Sequence, residues 1–283
     1  GVRLTIEPGV QVYANTTNSS IIVHGEIHSL GTSANPVFIG VNPSVSWTSS
    51  SGYWNGIKAQ NPSQGNDPLL LRNTTVAGPS NFWYTPGQSY TGHQYLFEFQ
   101  RFFRTNANVV VDNTTFENGN QIQLEPEQYA YNLGSYTIEN LNFTNISRVY
   151  IDDGFRWYNT CYGEWWDDVS FYRSGVYVYN PNIMSMYSGT NYCNPNGRPV
   201  YDGWTFDQSD VQIYSSGSWT TTTAGNPTWW RGTFTDTAVT LLSSSGFNAY
   251  LELRDSDFTV TGSPTATAWP YTQFASQRGT AFI

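Results

Sequence analysis

Asp112-Asn-Thr-Thr-Phe116 decides the fold, because the same phrase returns in altered form down the rest of the chain. Its later forms are Glu139-Asn-Leu-Asn-Phe143, Asp167-Asp-Val-Ser-Phe171, Asp202-Gly-Trp-Thr-Phe206, Trp230-Arg-Gly-Thr-Phe234 and Arg254-Asp-Ser-Asp-Phe258, so the phenylalanines recur at intervals of 27, 28, 35, 28 and 24 residues. Five residues before each of them stands a hydrophobic or aromatic residue: Val111, Ile138, Trp166, Tyr201, Trp229 and Leu253. Five or six residues after most of them comes an apolar-x-apolar triplet, namely Ile122/Leu124, Val149/Ile151, Val176/Val178, Val211/Ile213 and Val239/Leu241. Alternation with period two marks short strands with one buried face. Leu71 and Val76 repeat the five-residue interval one unit earlier.

Between these strands lie Gly, Asn, Asp, Ser and Pro, which turn a chain sharply, and no stretch carries an amphipathic helical period of useful length. A short-strand phrase that returns in phase, with variable loops absorbing the differences in spacing, predicts a solenoid whose equivalent positions stack. A β-sandwich is the competing all-β arrangement, and it does not call for one phrase six times in phase. The expectation is a single all-β domain over residues 1–283, a parallel β-helix with coils of about 24–35 residues. Two insertions break the rhythm, near 78–93 and 181–199, and are expected as loops on the outside of the solenoid.

The N-terminal portion adds a resemblance. Leu4-Thr-Ile-Glu-Pro-Gly-Val-Gln-Val-Tyr13, Ile21-Ile-Val-His-Gly-Glu-Ile-His-Ser-Leu-Gly-Thr32, Asn35-Pro-Val-Phe-Ile-Gly40 and Tyr53-Trp-Asn-Gly-Ile57 follow one another in this order. That succession is similar to the opening coils of pectin-lyase-like right-handed β-helix proteins, over roughly residues 1–60. The resemblance implies a right-handed parallel β-helix and leaves the activity open, because that fold carries enzymes, adhesins and passive surface proteins alike.

Composition narrows the partners. Only 12% of residues are charged, the formal net charge is −9, and Lys58 is the single lysine. Nucleic acid and anionic membrane are poor partners for such a surface. No run of 18 apolar residues exists, so no membrane-inserted helix is expected. The sequence opens at Gly1 without a methionine or a signal peptide, which reads as a processed, secreted chain or an excised part of a longer one.

Four acidic residues share one phrase position: Asp112, Glu139, Asp167 and Asp202. Stacked coils would line them up as like charges, which is unfavourable unless arginine, a cation or partial protonation intervenes. The two readings are a cation- or substrate-binding strip and a set of solvated turn carboxylates, and the second is preferred. A second group, Asp152 and Asp153 with Glu164, Asp167, Asp168, Trp157, Tyr158, Trp165 and Trp166 nearby in sequence, has the residue types of a glycosidase site. Such a site needs an acid and a base flanking the scissile bond, with rings to stack on sugar. The resemblance also implies what a catalytic member would carry, a Gly-His-Gly phrase and an Arg-Xaa-Lys phrase, and neither is present. No catalytic residue, metal site or cofactor is therefore expected.

Cys161 and Cys193 fall at similar phases of adjacent repeats, 18 residues after Phe143 and 22 after Phe171, and are expected to form one disulfide. Six Asn-Xaa-Ser/Thr sequons occur, at Asn15, Asn18, Asn73, Asn113, Asn142 and Asn145. Asn73 and Asn113 also sit at repeat positions where asparagine stacks in turns, so some of these matches are accidental while one or two carry glycan. Tyr150, Tyr177 and Tyr179 alternate with buried positions, either as outward contact residues or as a stiffening ladder. These features favour an extracellular structural or adhesive surface protein that associates with copies of itself, and with surface glycans as a further partner. The alternatives are a polysaccharide lyase or glycoside hydrolase of the pectin-lyase-like fold, and a glycan-binding or virus-type fibre module.

Overall fold

The computed structural model describes residues 2–16, 19–45, 54–59, 69–79, 95–99, 109–124, 136–152, 166–172, 174–179, 200–215, 228–230, 232–243, 249–254, 257–259, 273–276 and 279–282. Among them there are strands and turns and no helix. Every strand pairing is parallel. The chain is thus an all-β, all-parallel, solenoid-like structure.

The pairings sort the strands into three rows that the chain visits in turn. The first row opens with Val2–Ile6 and Gly25–Leu30 and continues through Val200–Asp202, Thr228–Trp230, Ala249–Arg254 and Gly279–Phe282. The second opens with Gln11–Ala14 and Val37–Val41 and closes with Thr205–Asp207, Thr233–Thr235 and Asp257–Thr259. The third runs from Ile21–Val23, Ile57–Ala59 and Tyr95–Phe99 to Gly175–Tyr179, Asp210–Ser215, Ala238–Ser243 and Gln273–Ser276. In the middle of the chain, the long strands Val109–Leu124 and Tyr136–Asp152 pass through all three rows without a break.

The recurrent phenylalanine sets the register of the second row. Val12, Ile39, Val76, Phe116, Phe143, Phe171, Phe206, Phe234 and Phe258 face one another in one column. From Phe116 to Phe234 the rings are fully or almost fully buried and stack nearly parallel, with centroids 5.4, 5.1, 5.0 and 4.9 Å apart. That distance is close to the spacing of hydrogen-bonded strands, about 4.8 Å, so backbone pairing and ring stacking are satisfied by one geometry. Each such pair is worth about 0.5–1.5 kcal/mol beyond the area it buries.

A second core column comes from the triplets. Ile21, Ile57, Phe97, Ile122, Val149, Val176, Val211 and Val239 share a register position in the third row, and all but the half-buried Ile21 are fully buried. In the first row Leu71, Val111, Ile138 and Trp166 share a register position, continued by Tyr201, Trp229 and Leu253, and of these Leu71 and Val111 are fully buried. The positions five before the phenylalanines, and five or six after those from Phe116 to Phe234, therefore share register columns as the sequence predicts.

Asparagine makes the turns between rows. Asn73, Asn113 and Asn140 join the first row to the second with φ of 43°, 46° and 54°, and Asn118 and Asn145 join the second to the third with φ of 56° and 55°. The left-handed region costs asparagine less than most residues, because its short polar side chain bonds locally. Gly78 occupies the second turn in the preceding coil; a Cβ there would overlap the Asn118 carbonyl group. Pro79 marks where the 78–93 insertion begins, and most of that insertion and all of 181–199 lie outside the described residues.

Candidate functional site

The acidic phrase positions come together. In the first row the register places Arg72 beside Asp112, then Glu139, Asp167, Asp202, Trp230 and Arg254, one residue per coil. Asp112 and Glu139 are half-buried. The amide Nδ2 of Asn140, a turn residue, donates to Asp112 Oδ1 at 3.1 Å. A neutral donor from the next coil thus faces the carboxylate and offsets part of the like-charge repulsion. Among the described residues, no group of three or more His, Cys, Asp or Glu side chains is placed to hold a metal ion.

The second acidic group is only partly described. Asp152 ends the strand Tyr136–Asp152 and pairs with Tyr179 in the next coil, while Tyr150 pairs with Tyr177. Asp153, Trp157, Tyr158, Glu164 and Trp165 lie outside the described residues, as do Cys161 and Cys193.

Near the N-terminus a buried carboxyl group pairs with an exposed guanidinium, an arrangement the sequence does not announce. Glu26 and His28 alternate on one strand of the first row and are 7% and 5% exposed. Arg3, the register partner of Glu26, donates from Nε to Glu26 Oε2 at 2.6 Å, and His28 Nε2 lies 3.9 Å from the same oxygen. A buried carboxylate needs a paired cation of this kind. The cluster supplies one carboxyl group, whereas cleavage of a glycosidic bond by an acid and a base takes two. Its evident work is to fix the first two coils together. The i, i+2 spacing of Glu26 and His28 was the available signal, but nothing in the sequence pairs Arg3 with them.

Five of the six sequons are described, and they divide by environment. Asn73 Nδ2 donates to the Gly31 carbonyl at 3.1 Å, Asn113 Nδ2 to Asn73 Oδ1 at 2.5 Å, and Asn145 Nδ2 to Asn118 Oδ1 at 3.0 Å. These three are turn residues whose amides tie one coil to the next. Asn142 instead lies on the exposed outer side of the second row, and Asn15 is exposed after the first strand of that row, its Oδ1 accepting from Asn42 Nδ2 at 2.8 Å. Asn18 lies outside the described residues.

Beyond the second turn, hydroxyls take over from amides. Ser174, Ser209 and Thr237 are completely buried. Each donates to the carbonyl two residues back, at 3.0, 2.9 and 2.8 Å, and each accepts or is approached by a backbone N–H of the preceding coil: Ile146 N to Ser174 Oγ at 3.3 Å, Ser174 N to Ser209 Oγ at 3.2 Å and Ser209 N to Thr237 Oγ1 at 3.4 Å. This ladder is structural. Among the described residues, no helix is long and apolar enough to cross a membrane.

Comparison of the chain with protein-family models, with curated proteins and with solved structures finds no match in any of the three.

Proposed function

We propose that the chain is a right-handed parallel β-helix acting as an extracellular structural or adhesive subunit that pairs with copies of itself in a filament, coat or surface layer. The observation that carries this reading is the uninterrupted parallel stacking of the coils in three rows, with the phenylalanine column in register from Phe116 to Phe258. Heterologous contacts between such subunits give a filament where they do not close and a ring where they do.

The in-register columns support a mechanical role, since a rod whose coils share stacked rings and ladders resists bending at every level. The low charge and abundant hydroxyl and amide groups suit an extracellular surface and contact with glycans.

Sedimentation and electron microscopy of the native protein test the reading. Particles much heavier than 31.8 kDa are expected. A sharp monomer would overturn it, because a filament, coat or surface layer needs contacts between copies. Release of sugars from an acidic polysaccharide, lost on Asp152→Asn or Asp153→Asn, would replace it with an enzymatic one.

A further inference from the structure

We infer that Asn142 is an N-glycan acceptor of this protein and that Asn73, Asn113 and Asn145 are structural asparagines carrying no sugar. The first residue of a sequon becomes an acceptor only if its Nδ2 can leave its surroundings. The structure separates the sequons on that point.

In the three turn sequons, Nδ2 is the atom that links two coils. Asn145 is 6% exposed and its amide lies 3.0 Å from Asn118 Oδ1. Asn113 reaches Asn73 Oδ1 at 2.5 Å, and Asn73 reaches the Gly31 carbonyl at 3.1 Å. Glycosylation removes one of the two amide hydrogens and places a sugar ring where the acceptor of the neighbouring coil sits. At hydrogen-bond distance there is no room for a ring, so the coils would have to part. If the sugar were added before folding, the same ladder could not close. The positive φ at each of these positions shows a second demand on the same residue, since asparagine tolerates the left-handed region.

Asn142 meets the opposite conditions. It lies between buried Leu141 and Phe143, and strand alternation turns it to the exposed side of the second row. Its register neighbours are Thr115 and Ser170, side chains short enough to leave space above the sheet. Among the described residues its amide makes no hydrogen bond. The sequon is completed by Thr144 on the same face of the strand.

The transfer takes a polyprenyl-phosphate-linked oligosaccharide as donor. Asn142 Nδ2 attacks the anomeric carbon, the N–C bond forms as the carbon–oxygen bond to phosphate breaks, the polyprenyl phosphate leaves, and the amide proton passes to a base of the transferase. A glycan at this point would stand over the middle of the second row and bar that face from lateral contacts. This inference rests on the extracellular part of the proposed function and is independent of the assembly part.

Peptide mapping of native protein from its own source, with sugar masses read by tandem mass spectrometry, tests it. The expected result is sugar on the Asn142 peptide and bare peptides for Asn73, Asn113 and Asn145. Thr144→Ala, made in the same source, should remove the sugar completely while leaving Asn142 in place and the melting temperature nearly unchanged. An unmodified Asn142, or sugar on any of the three turn asparagines, would overturn the inference. Neither result bears on whether the particles sediment as an assembly, so the two readings fail separately.

Discussion

The two turns that flank the second row answer one problem with different chemistry. Between the first and second rows, Asn73, Asn113 and Asn140 supply the left-handed residue and their own amides make the contact to the coil before. Between the second and third rows Asn118 and Asn145 again supply the left-handed residue, and the Asn145 amide bonds back to Asn118 in the coil before. Gln208 and Asp236 take the left-handed position at φ 47° and 46° and bond to the next coil through their backbone N–H groups, to the Thr235 and Thr259 carbonyls at 3.0 Å each, and the buried hydroxyl one residue later, Ser209 or Thr237, adds a side-chain link. The change coincides with a shortening of the turn: Val149 follows Phe143 by six residues, whereas Val211 follows Phe206 by five. The residue after the left-handed one faces inward in both, as the buried Gly119 and Ile146 in the longer turn and as a buried hydroxyl in the shorter. Both turns keep a left-handed residue, while the side-chain bond across coils is shared between the Asn145 amide and the Ser147 hydroxyl, which donates to Asn120, in the longer turn and is made by Ser209 or Thr237 in the shorter.

The largest effect is expected from neither turn but from the column between them. If the turns only position the phenylalanines, then Phe171→Ala, which deletes a ring stacked at 5.1 Å on Phe143 and 5.0 Å on Phe206, should cost about 3–5 kcal/mol in denaturant unfolding. The native sheet lets neighbouring coils relax little, since their backbones are already held at strand spacing. A loss below about 1 kcal/mol, the range of a surface change, would mean that turn ladders rather than stacked rings hold the coils together.

The turns themselves separate at the next level. Ser209→Ala leaves the buried Ser174 N–H without its acceptor at 3.2 Å, and an orphaned buried donor costs about 1–3 kcal/mol. Asn113→Gly keeps the left-handed backbone and loses the Nδ2 bond to Asn73, an exposed bond between neutral groups, so a cost of about 0.5–1.5 kcal/mol is expected. Asn113→Ala adds about 1 kcal/mol or more for a Cβ in the left-handed region without local compensation. The order Ser209→Ala above Asn113→Gly, measured by chemical denaturation, is the test; equal costs would show that the two turns are bonded alike after all.

What was legible in the sequence follows from the same separation. Phe116, Phe143, Phe171, Phe206 and Phe234, and the acidic set Asp112, Glu139, Asp167 and Asp202, were assigned to stacked positions from spacing alone, and the register places them so. Apolar periodicity survives changes in loop length because the core admits few substitutes. The hydroxyl ladder was not legible: Ser174, Ser209 and Thr237 look like surface residues, and their burial depends on backbone donors in another coil. Trp204 was hidden for a similar reason. It stands two residues before Phe206, inside the polar part of the phrase, yet is fully buried with its ring 5.4 Å from that of Phe171. Of the candidate sites, the sequence picked out the sequon asparagines but could not separate Asn142 from Asn145, which differ by three residues and by which side of the sheet they meet.

The smallest expected effect concerns Glu117, which stands beside the longer of the two second turns and so reports on how dry that turn is. Burial alone raises its carboxyl above the ordinary value of 4.5, while its backbone carbonyl accepts from Gly78 N at 2.9 Å. A carboxyl whose folded value is raised binds its proton more tightly in the native state than in the unfolded one. It therefore favours folding below the unfolded value, and that contribution is lost as pH rises through the folded value. Above that window the chain carries a half-buried charge that Glu117→Gln removes without disturbing the backbone bond. Glu117→Gln should accordingly raise the melting temperature slightly at neutral pH, with the gain shrinking to nothing once the pH falls well below 4.5. Thermal melts of both proteins across that range decide it. A gain that stays constant with pH would assign the effect to packing instead of charge, and a loss at neutral pH would mean that the ionised carboxylate has a stabilising partner in the folded turn.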